Sequence, residues 1–337
     1  MLMQGARCLV TGGAGFIGSH LAARLVALGY RVRVVDSLSA GRQANLASIA
    51  DDIEFVRGDL RSMDVCARAT RAVDVIFHLA ALPSVPRSLE DPWGSHDVNV
   101  NATVRLLQAA RSTGVQRVVF SSSSSVYGDA PALPAVESTE LLPRSPYAVS
   151  KLAGEQYVLA YSRAGLLEGV ALRYFNVFGP HQDPDSPYAA VIPLMLRAAL
   201  TRTPLTIFGD GEQTRDFTYV DNVVHANILA ASCPGAIVAG HAVNVGTGEQ
   251  TSVRALVDAA ATITGPIACR WIGPRPGDVR HSVASLELAE TLLGYKPVVS
   301  LRTGMQRTWI GMRTSSEKVI ARGIRPAVSS PLMVTHG

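Results

Sequence analysis

The segment Thr11-Gly12-Gly13-Ala14-Gly15-Phe16-Ile17-Gly18 limits what this chain can fold into more than any other stretch. It follows a short β-branched run, Arg7–Thr11, and opens an amphipathic stretch, Phe16–Leu28. It satisfies both GxxGxxG and GxGxxG. Glycines here let the chain turn tightly and let its backbone approach an anion, while the helix N-terminus offers unpaired N–H groups. A strand, glycine loop and helix in this order open a parallel α/β sheet that holds the pyrophosphate of a dinucleotide.

The first half keeps the rhythm that this opening demands. Further strand candidates are Arg31–Val35, Ile53–Arg57, Val73–His78, Gln116–Ser121 and Gly169–Tyr174, each short and bounded by polar residues or glycine. Between them lie helical stretches, notably Val98–Thr113 and Tyr147–Ala164, the former with Val100, Val104, Leu107 and Ala110 at helical spacing. Such alternation predicts an α/β fold with a doubly wound parallel sheet of the Rossmann type, covered on both faces. After Gly179 the rhythm changes. Proline and glycine clusters at Gly179–Pro187, Gly209–Gly211 and Gly273–Gly277 separate helices expected at Ala190–Leu200, Ser252–Thr264 and Leu286–Leu293. The expected organisation is a dinucleotide domain over residues 1–179 and a smaller C-terminal α/β substrate lobe over 180–216 and 247–330. Residues 217–246, read as a helix Phe217–Ala231 and a strand His241–Gly246, are expected to pack back on the first domain.

Composition narrows the class. With 337 residues, 47% hydrophobic and 17% charged, the chain can bury a sizeable core and is not globally disordered. No apolar run reaches the length of a membrane span, and Met1–Val10 is too short for a secretory signal. Cys8, Cys66, Cys233 and Cys269 form no CxxC pair, which suits reduced thiols in a cytoplasmic protein and no metal site. The net charge of +4 comes without a Lys/Arg run, so no nucleic-acid partner is expected.

Several polar residues fall at the carboxyl ends of the predicted strands, where parallel sheets bind ligands. Asp36 ends the second strand; a carboxylate there accepts from a ribose 2′-OH and repels a 2′-phosphate, which favours NAD over NADP. Asp59 and Leu60 follow the third strand, and Leu79, Ala80 and Ala81 follow His78 at the end of the fourth. His78 itself reads as a satisfied core histidine. Ser121–Ser125 end the fifth strand. Tyr147 and Lys151 stand four apart at the start of a helix, so both side chains share one face. A free phenol titrates near 10, too high for a base at neutral pH, and a neighbouring ammonium lowers that value.

TGGAGFIGSH, HLAA, SSSSSVYG, SPYAVSK and LRYFNVFGP together resemble the extended short-chain dehydrogenase/reductase family, and within it the sugar-nucleotide 4-epimerases, over nearly the whole chain. SVPRSLEDP, YAAVIP, GDGEQTRDFTYVDN and RPGDVRHS support the likeness, which leans toward the bacterial UDP-N-acetylglucosamine and UDP-glucose 4-epimerases. The resemblance implies that Gly12, Gly15, Phe16, Ile17, Gly18, Asp36, Asp59, Leu60, Leu79, Ala80, Ala81, Asn99 and Tyr174 hold NAD. It implies that Tyr147 takes a proton from the sugar 4-OH, with Ser123 and Ser124 bonding that oxygen and Lys151 holding the nicotinamide ribose. Ser84 and Arg87 would approach the sugar. Asn176, Ala190, Val191, Arg215, Arg275 and Asp278 would hold the uridine diphosphate. Ser282 stands where the family places a gatekeeper, and a serine there leaves room for an N-acetyl group. A homodimer through a four-helix bundle is implied, with Val98–Thr113 and Tyr147–Ala164 as the helices.

Two places depart from the pattern. Leu82-Pro83 precedes the SVPRS serine, where glycine is usual, and Pro180-His181 follows FNVFG, where a basic pair is usual. Two other readings share the dinucleotide domain. A dehydratase or decarboxylase would carry an acid after the catalytic serine, where this chain has Ser124 and Ser125. A silent NAD-binding regulator would need neither Tyr147, Lys151 nor the serines.

Overall fold

The computed structural model describes residues 5–129, 132–184, 186, 189–273 and 279–321, with side chains as far as Thr314. Seven strands form one parallel sheet: β1 (Arg7–Thr11), β2 (Arg31–Asp36), β3 (Ile53–Arg57), β4 (Val75–His78), β5 (Arg117–Ser123), β6 (Glu168–Tyr174) and β7 (Ala242–Val245). Their order is β7-β6-β5-β4-β1-β2-β3. The chain winds outward from β1 through β2 to β3, then returns to β1's other side and winds outward again. The sheet is therefore doubly wound, with its switch point between β1 and β4.

Period-two alternation sends neighbouring residues to opposite faces. Cys8 and Val10 of β1 join one core, which includes Leu21 and Leu25 of helix α1 (Phe16–Ala27). Leu9 joins the other, with Cys66, Leu106, Leu107 and Val158. Both faces are apolar, as helices on both sides require.

Two helices differ from their expected form. Val98–Thr113 is a π-type turn, Asp97–Asn101, followed by helix α2 (Ala102–Ser112). Ala102 N–H reaches back to Asp97 O. The wider turn carries Asn99, whose buried side chain bonds Leu82 and Ser150, elements far away in sequence. Phe217–Ala231 is not helical from its start. Thr218–Tyr219 pairs in parallel with Val177–Phe178, and helix begins only at Val220. Thr218 N–H is claimed by Asn176 O, so tertiary pairing overrides the local tendency.

Beyond β6, Leu205–Phe208 pairs with Cys269–Ile272, and Thr214–Arg215 with Thr251–Ser252. The Asp216 carboxylate, fully buried, ties these segments together. It accepts from Thr247 N and Oγ1 at 2.7 and 2.6 Å, Gly248 N at 3.0 Å and Ala284 N at 3.2 Å. No helix among the described residues is long and apolar enough to cross a membrane.

Candidate active site

The glycine loop leaves β1 at the switch point. Gly12 has φ +65°, and a Cβ there would lie 2.8 Å from Ala80 Cα. A Cβ on Gly18 would lie 2.3 Å from Gly12 O. Neither position tolerates a side chain, so the helix N-terminus meets any ligand through bare backbone. Thr11 and His78 fix the loop beside its neighbour. Thr11 Oγ1 accepts from Leu79 N and Ala80 N, both at 3.1 Å, and donates to His78 Nδ1 at 2.7 Å. Thr103 Oγ1 donates to Asn99 O and so accepts from His78 Nε2, at 2.9 Å. That arrangement needs a neutral imidazole. Burial pushes its pKa down to about 3, with the Lys151 charge acting in the same direction.

Asp36 is buried at the end of β2 and accepts from Ala14 N at 2.9 Å and Leu38 N at 2.8 Å. A carboxylate retains lone pairs beyond those two bonds. Arg33 is turned away: it donates to Ala69 O and Arg71 O and pairs with Glu54. Phe16 lies against Gly179, Ile17 packs on the first core, and Ala81 is half-buried. Asp59 is drawn to Arg61, 2.7 Å away, and that hydrogen bond lowers its pKa. Leu60 packs into the second core.

Helix α3 (Pro146–Arg163) starts under firm control. Ser145 Oγ accepts from Ala148 N at 3.1 Å, and Pro146 fills the first turn. Tyr147 N donates to Ser88 Oγ at 3.0 Å, which seats the short helix Val85–Glu90 against it. Ser84 caps that helix by accepting from Arg87 N, and the Arg87 side chain is exposed. The helix start brings Tyr147 to the serine end of β5. Burial raises the phenol's pKa, and a hydrogen bond with Ser123 opposes the rise. Ser123 Oγ also accepts from Ser125 Oγ at 2.8 Å. Ser124 is half-buried, with no side-chain hydrogen bond among the described residues.

Lys151 is 4% exposed. Its Nζ sits 4.8 Å from the centre of the Phe120 ring, and its ammonium makes no hydrogen bond among the described residues. Burial pushes its pKa down to about 7, and the Glu155 charge opposes that. Two predicted contacts use their polar groups internally. The Asn99 amide binds Leu82 and Ser150, and the Tyr174 hydroxyl pairs with Asn227.

Beyond β6, Ser282 N donates to Thr214 O at 3.1 Å, which sets it beside Arg215. Arg215 is buried and donates to Thr214 O and Arg280 O. Asn176, at φ +24°, leans on Asp216 O. Ala190 and Val191 begin the helix Val191–Thr201. Arg275 and Asp278 lie outside the described residues.

The sequence reading missed Thr11, Ser88, Glu155, Arg173 and Asp216. Arg173 carried a signal, since a charged residue inside the otherwise apolar stretch 170–175 must find a partner.

A doubly wound sheet, a bare glycine loop and a Ser–Tyr–Lys cluster define a dinucleotide-dependent enzyme of the extended short-chain dehydrogenase class. The chain belongs to the NAD dependent epimerase/dehydratase family, whose model matches residues 8–246. It is 43% identical to a UDP-glucose 4-epimerase of Mycolicibacterium smegmatis, over 92% of this chain and all of that one. Among solved structures it resembles a UDP-N-acetylglucosamine 4-epimerase from Methanobrevibacter ruminantium in complex with UDP-N-acetylmuramic acid. The TM-score there is 0.88 at 36% identity, covering 93% of this chain and 100% of that one. It also resembles the UDP-glucose 4-epimerase of Thermotoga maritima with UDP-glucose, at TM-score 0.86 and 36% identity, covering 92% and 99%. The residues present fit NAD: bare backbone at Gly12 and Gly18, a buried carboxylate at Asp36, and a sequestered ammonium at Lys151 with donors to spare.

The buried Lys151 charge has a consequence for stability. Its folded pKa, about 7, lies below the ordinary 10.5. Burial therefore penalises the protonated state: the penalty is full below about 7 and vanishes as pH rises through 10.5. Lys151→Met keeps the stem's volume and removes the charge. Calorimetry of NAD-free protein near pH 7 is expected to show the variant melting about 3 °C or more above wild type. The gap should narrow above about pH 7 and close only as pH passes about 10.5. Equal or lower melting at neutral pH would contradict a costly buried ammonium.

Proposed function

We propose that this protein is a UDP-sugar 4-epimerase that acts on UDP-N-acetylglucosamine and UDP-N-acetylgalactosamine and also accepts UDP-glucose and UDP-galactose. The observation that carries this reading is the proton inventory beside Ser123. Tyr147 and Lys151 are at hand. Glu155, the carboxylate one turn further along α3, is fully engaged by Arg173 and Ser122. Neither Ser124 nor Ser125 is an acid. A site so equipped can move a proton to and from an oxygen but has no free acid or base for carbon, which eliminations and decarboxylations in this family need.

NAD, held by the glycine loop and Asp36, would supply reversible hydride transfer at sugar C4 without being consumed. The chain's own residues do the rest. Tyr147, as phenolate, removes the 4-OH proton and later restores it. Lys151 favours the phenolate by its charge and holds the nicotinamide ribose. Ser123 and Ser124 bond the reacting oxygen. Asp36 takes the adenosine ribose. Ser84 and Arg87, on the helix seated against Tyr147, face the sugar. Asn176, Ala190, Val191 and Arg215, with Arg275 and Asp278, hold the uridine diphosphate, where two arginines suit its charge and geometry. Retention of the uridine diphosphate alone leaves the sugar free to turn about its link to the diphosphate.

The experiment is to incubate purified, NAD-loaded protein with UDP-N-acetylglucosamine and, separately, UDP-glucose, and to identify products. A C4 epimer of unchanged mass is expected. A product lighter by water or carbon dioxide would overturn the reading. Tyr147→Phe is expected to cut kcat by about a thousandfold with little change in KM.

Sugar choice is assigned to Ser282, beside Arg215. Ser282→Tyr would fill the space for an N-acetyl group and should abolish turnover of the N-acetylated sugars while sparing UDP-glucose. Unchanged activity on UDP-N-acetylglucosamine would remove Ser282 from this role.

A homodimer through a four-helix bundle is part of the same proposal. Val149, Ala153 and Tyr157 recur along one face of α3, with Val149 and Tyr157 exposed. Ala153 and Tyr157 line a groove together with Val100 and Val104. Two copies would bury these faces together. Tyr157→Glu should turn a dimer into a monomer in light scattering, and a wild type already monomeric would end the proposal.

A further inference from the structure

Behind the serine end of β5 runs a chain of buried polar side chains that the proposed reaction leaves unused. Ser122 Oγ donates to Glu155 Oε2 at 2.6 Å. Arg173 grips Glu155 twice, Nη2 to Oε1 at 2.6 Å and Nε to Oε2 at 3.0 Å. Arg173 Nη1 donates to Tyr127 Oη at 2.8 Å, and Tyr127 donates to Asn244 Oδ1 at 2.7 Å. Glu155 is fully buried and Arg173 nearly so.

The placement is specific. Ser122 precedes Ser123 on β5, so its side chain points to the opposite side. Clamping one side chain fixes the strand's rotation and with it the direction of the other. Glu155 stands one turn beyond Lys151 and two beyond Tyr147 on α3. The Ser122–Glu155 bond is thus a direct side-chain tie between the strand that carries Ser123 and the helix that carries the proton-transfer pair.

The surroundings of Lys151 add an electrostatic component. Tyr147 and Glu155 share its helix. The Phe120 ring faces it from β5, neutral His78 lies on β4, and Arg173 stands behind Glu155 on β6. Among these groups Glu155 alone is negative. Packing alone does not call for the ion pair, since apolar replacements of buried pairs are often neutral or stabilising.

We infer that Glu155 is a positioning residue for the proton transfer: through Ser122 it aligns Ser123 with Tyr147, and it supplies the negative charge that faces the Lys151 ammonium. It touches neither sugar nor cofactor. This inference rests on the proposed 4-epimerase reaction, but one of its tests does not.

Three variants separate the roles: Ser122→Ala, Glu155→Gln, and Glu155→Gln with Arg173→Gln. The double variant keeps Arg173 from being left unpaired should the single one fail to fold. Steady-state kinetics on NAD-loaded enzyme with UDP-N-acetylglucosamine should show kcat about tenfold lower for Ser122→Ala, with KM within about twofold. Both pH limbs of kcat should move about one unit lower in Glu155→Gln, because losing a negative charge eases each deprotonation of the coupled pair. The double variant should move them the same way by less.

The second readout is the 13Cε resonance of Lys151 in substrate-free protein, assigned with Lys151→Met. The chain has three lysines, Lys151, Lys296 and Lys318, so the spectrum is simple. Its titration should fall by about one unit in Glu155→Gln. Variants that melt lower but keep wild-type kcat, pH limbs and Lys151 titration would reduce Glu155 to a structural role and overturn the inference. Should wild type turn over no UDP-sugar, the reaction fails, yet the Lys151 titration still decides the charge role of Glu155.

Discussion

Parallel pairing on both sides of β1 is the constraint on which the rest of the molecule depends. Because β2 and β4 both run parallel to β1, all seven strands end on one edge. Gly12, Asp36, His78, Ser123 and Tyr174 stand at or just beyond these strand ends, although they span much of the chain. The reversal of winding between β1 and β4 opens a crevice at that edge. Thr11 keeps the crevice in register by accepting the Leu79 and Ala80 amides. A glycine loop on a less firmly held strand could approach an anion, but it could not hold the anion at a fixed distance from Ser123.

The buried His78, Glu155 and Asp216 do the fixing, and each is hydrogen-bonded at both of its polar atoms. His78 is held between two threonines, Glu155 between Arg173 and Ser122, and Asp216 among four donors. In a low-dielectric interior such networks are rigid when satisfied and costly when broken. Asp216 and Asn244 extend the same control to segments later in the chain. Asp216 accepts from Ala284 N, and Asn244 donates to Ala135 O and Ser285 O. The segment that carries Ser282 is thereby held against the end of the main sheet.

The local parts of this plan were legible in the sequence. Arg7–Thr11 and Ile53–Arg57 are strands over the expected residues, and the glycine loop stands between the expected strand and helix. The repeated period of two or 3.6, with caps such as Ser145, carries that information locally. What stayed hidden depends on residues far apart. The π-type turn at Asp97–Asn101 exists because Asn99 must reach Leu82 and Ser150. Thr218–Tyr219 is extended because Val177–Phe178 pairs with it. In the site, Tyr147 and Lys151 could be paired from their spacing. Glu155 and Arg173, 18 positions apart on a helix and a strand, had no such pattern. The internal engagement of Asn99 and Tyr174 was equally invisible, since sequence gives a residue's capacity to bond and not the partner that takes it.

The fate of the carboxylates shapes what the site can do. Burial without partners raises a carboxyl's pKa and makes it a candidate acid for carbon. The buried carboxylates Asp36, Glu155 and Asp216 all have partners, although burial still raises the pKa of Asp216. Glu155 faces a guanidinium, and Asp216 is surrounded by N–H and O–H donors. In the proposed reaction the proton moves through a phenol and an ammonium on one helix face, and burial disfavours the charged form of each. In the proposed reaction the Lys151 charge favours the phenolate, and loading or unloading the phenol moves a single proton. A device of this kind suits chemistry that removes a proton from one oxygen and later returns it, with nothing eliminated in between.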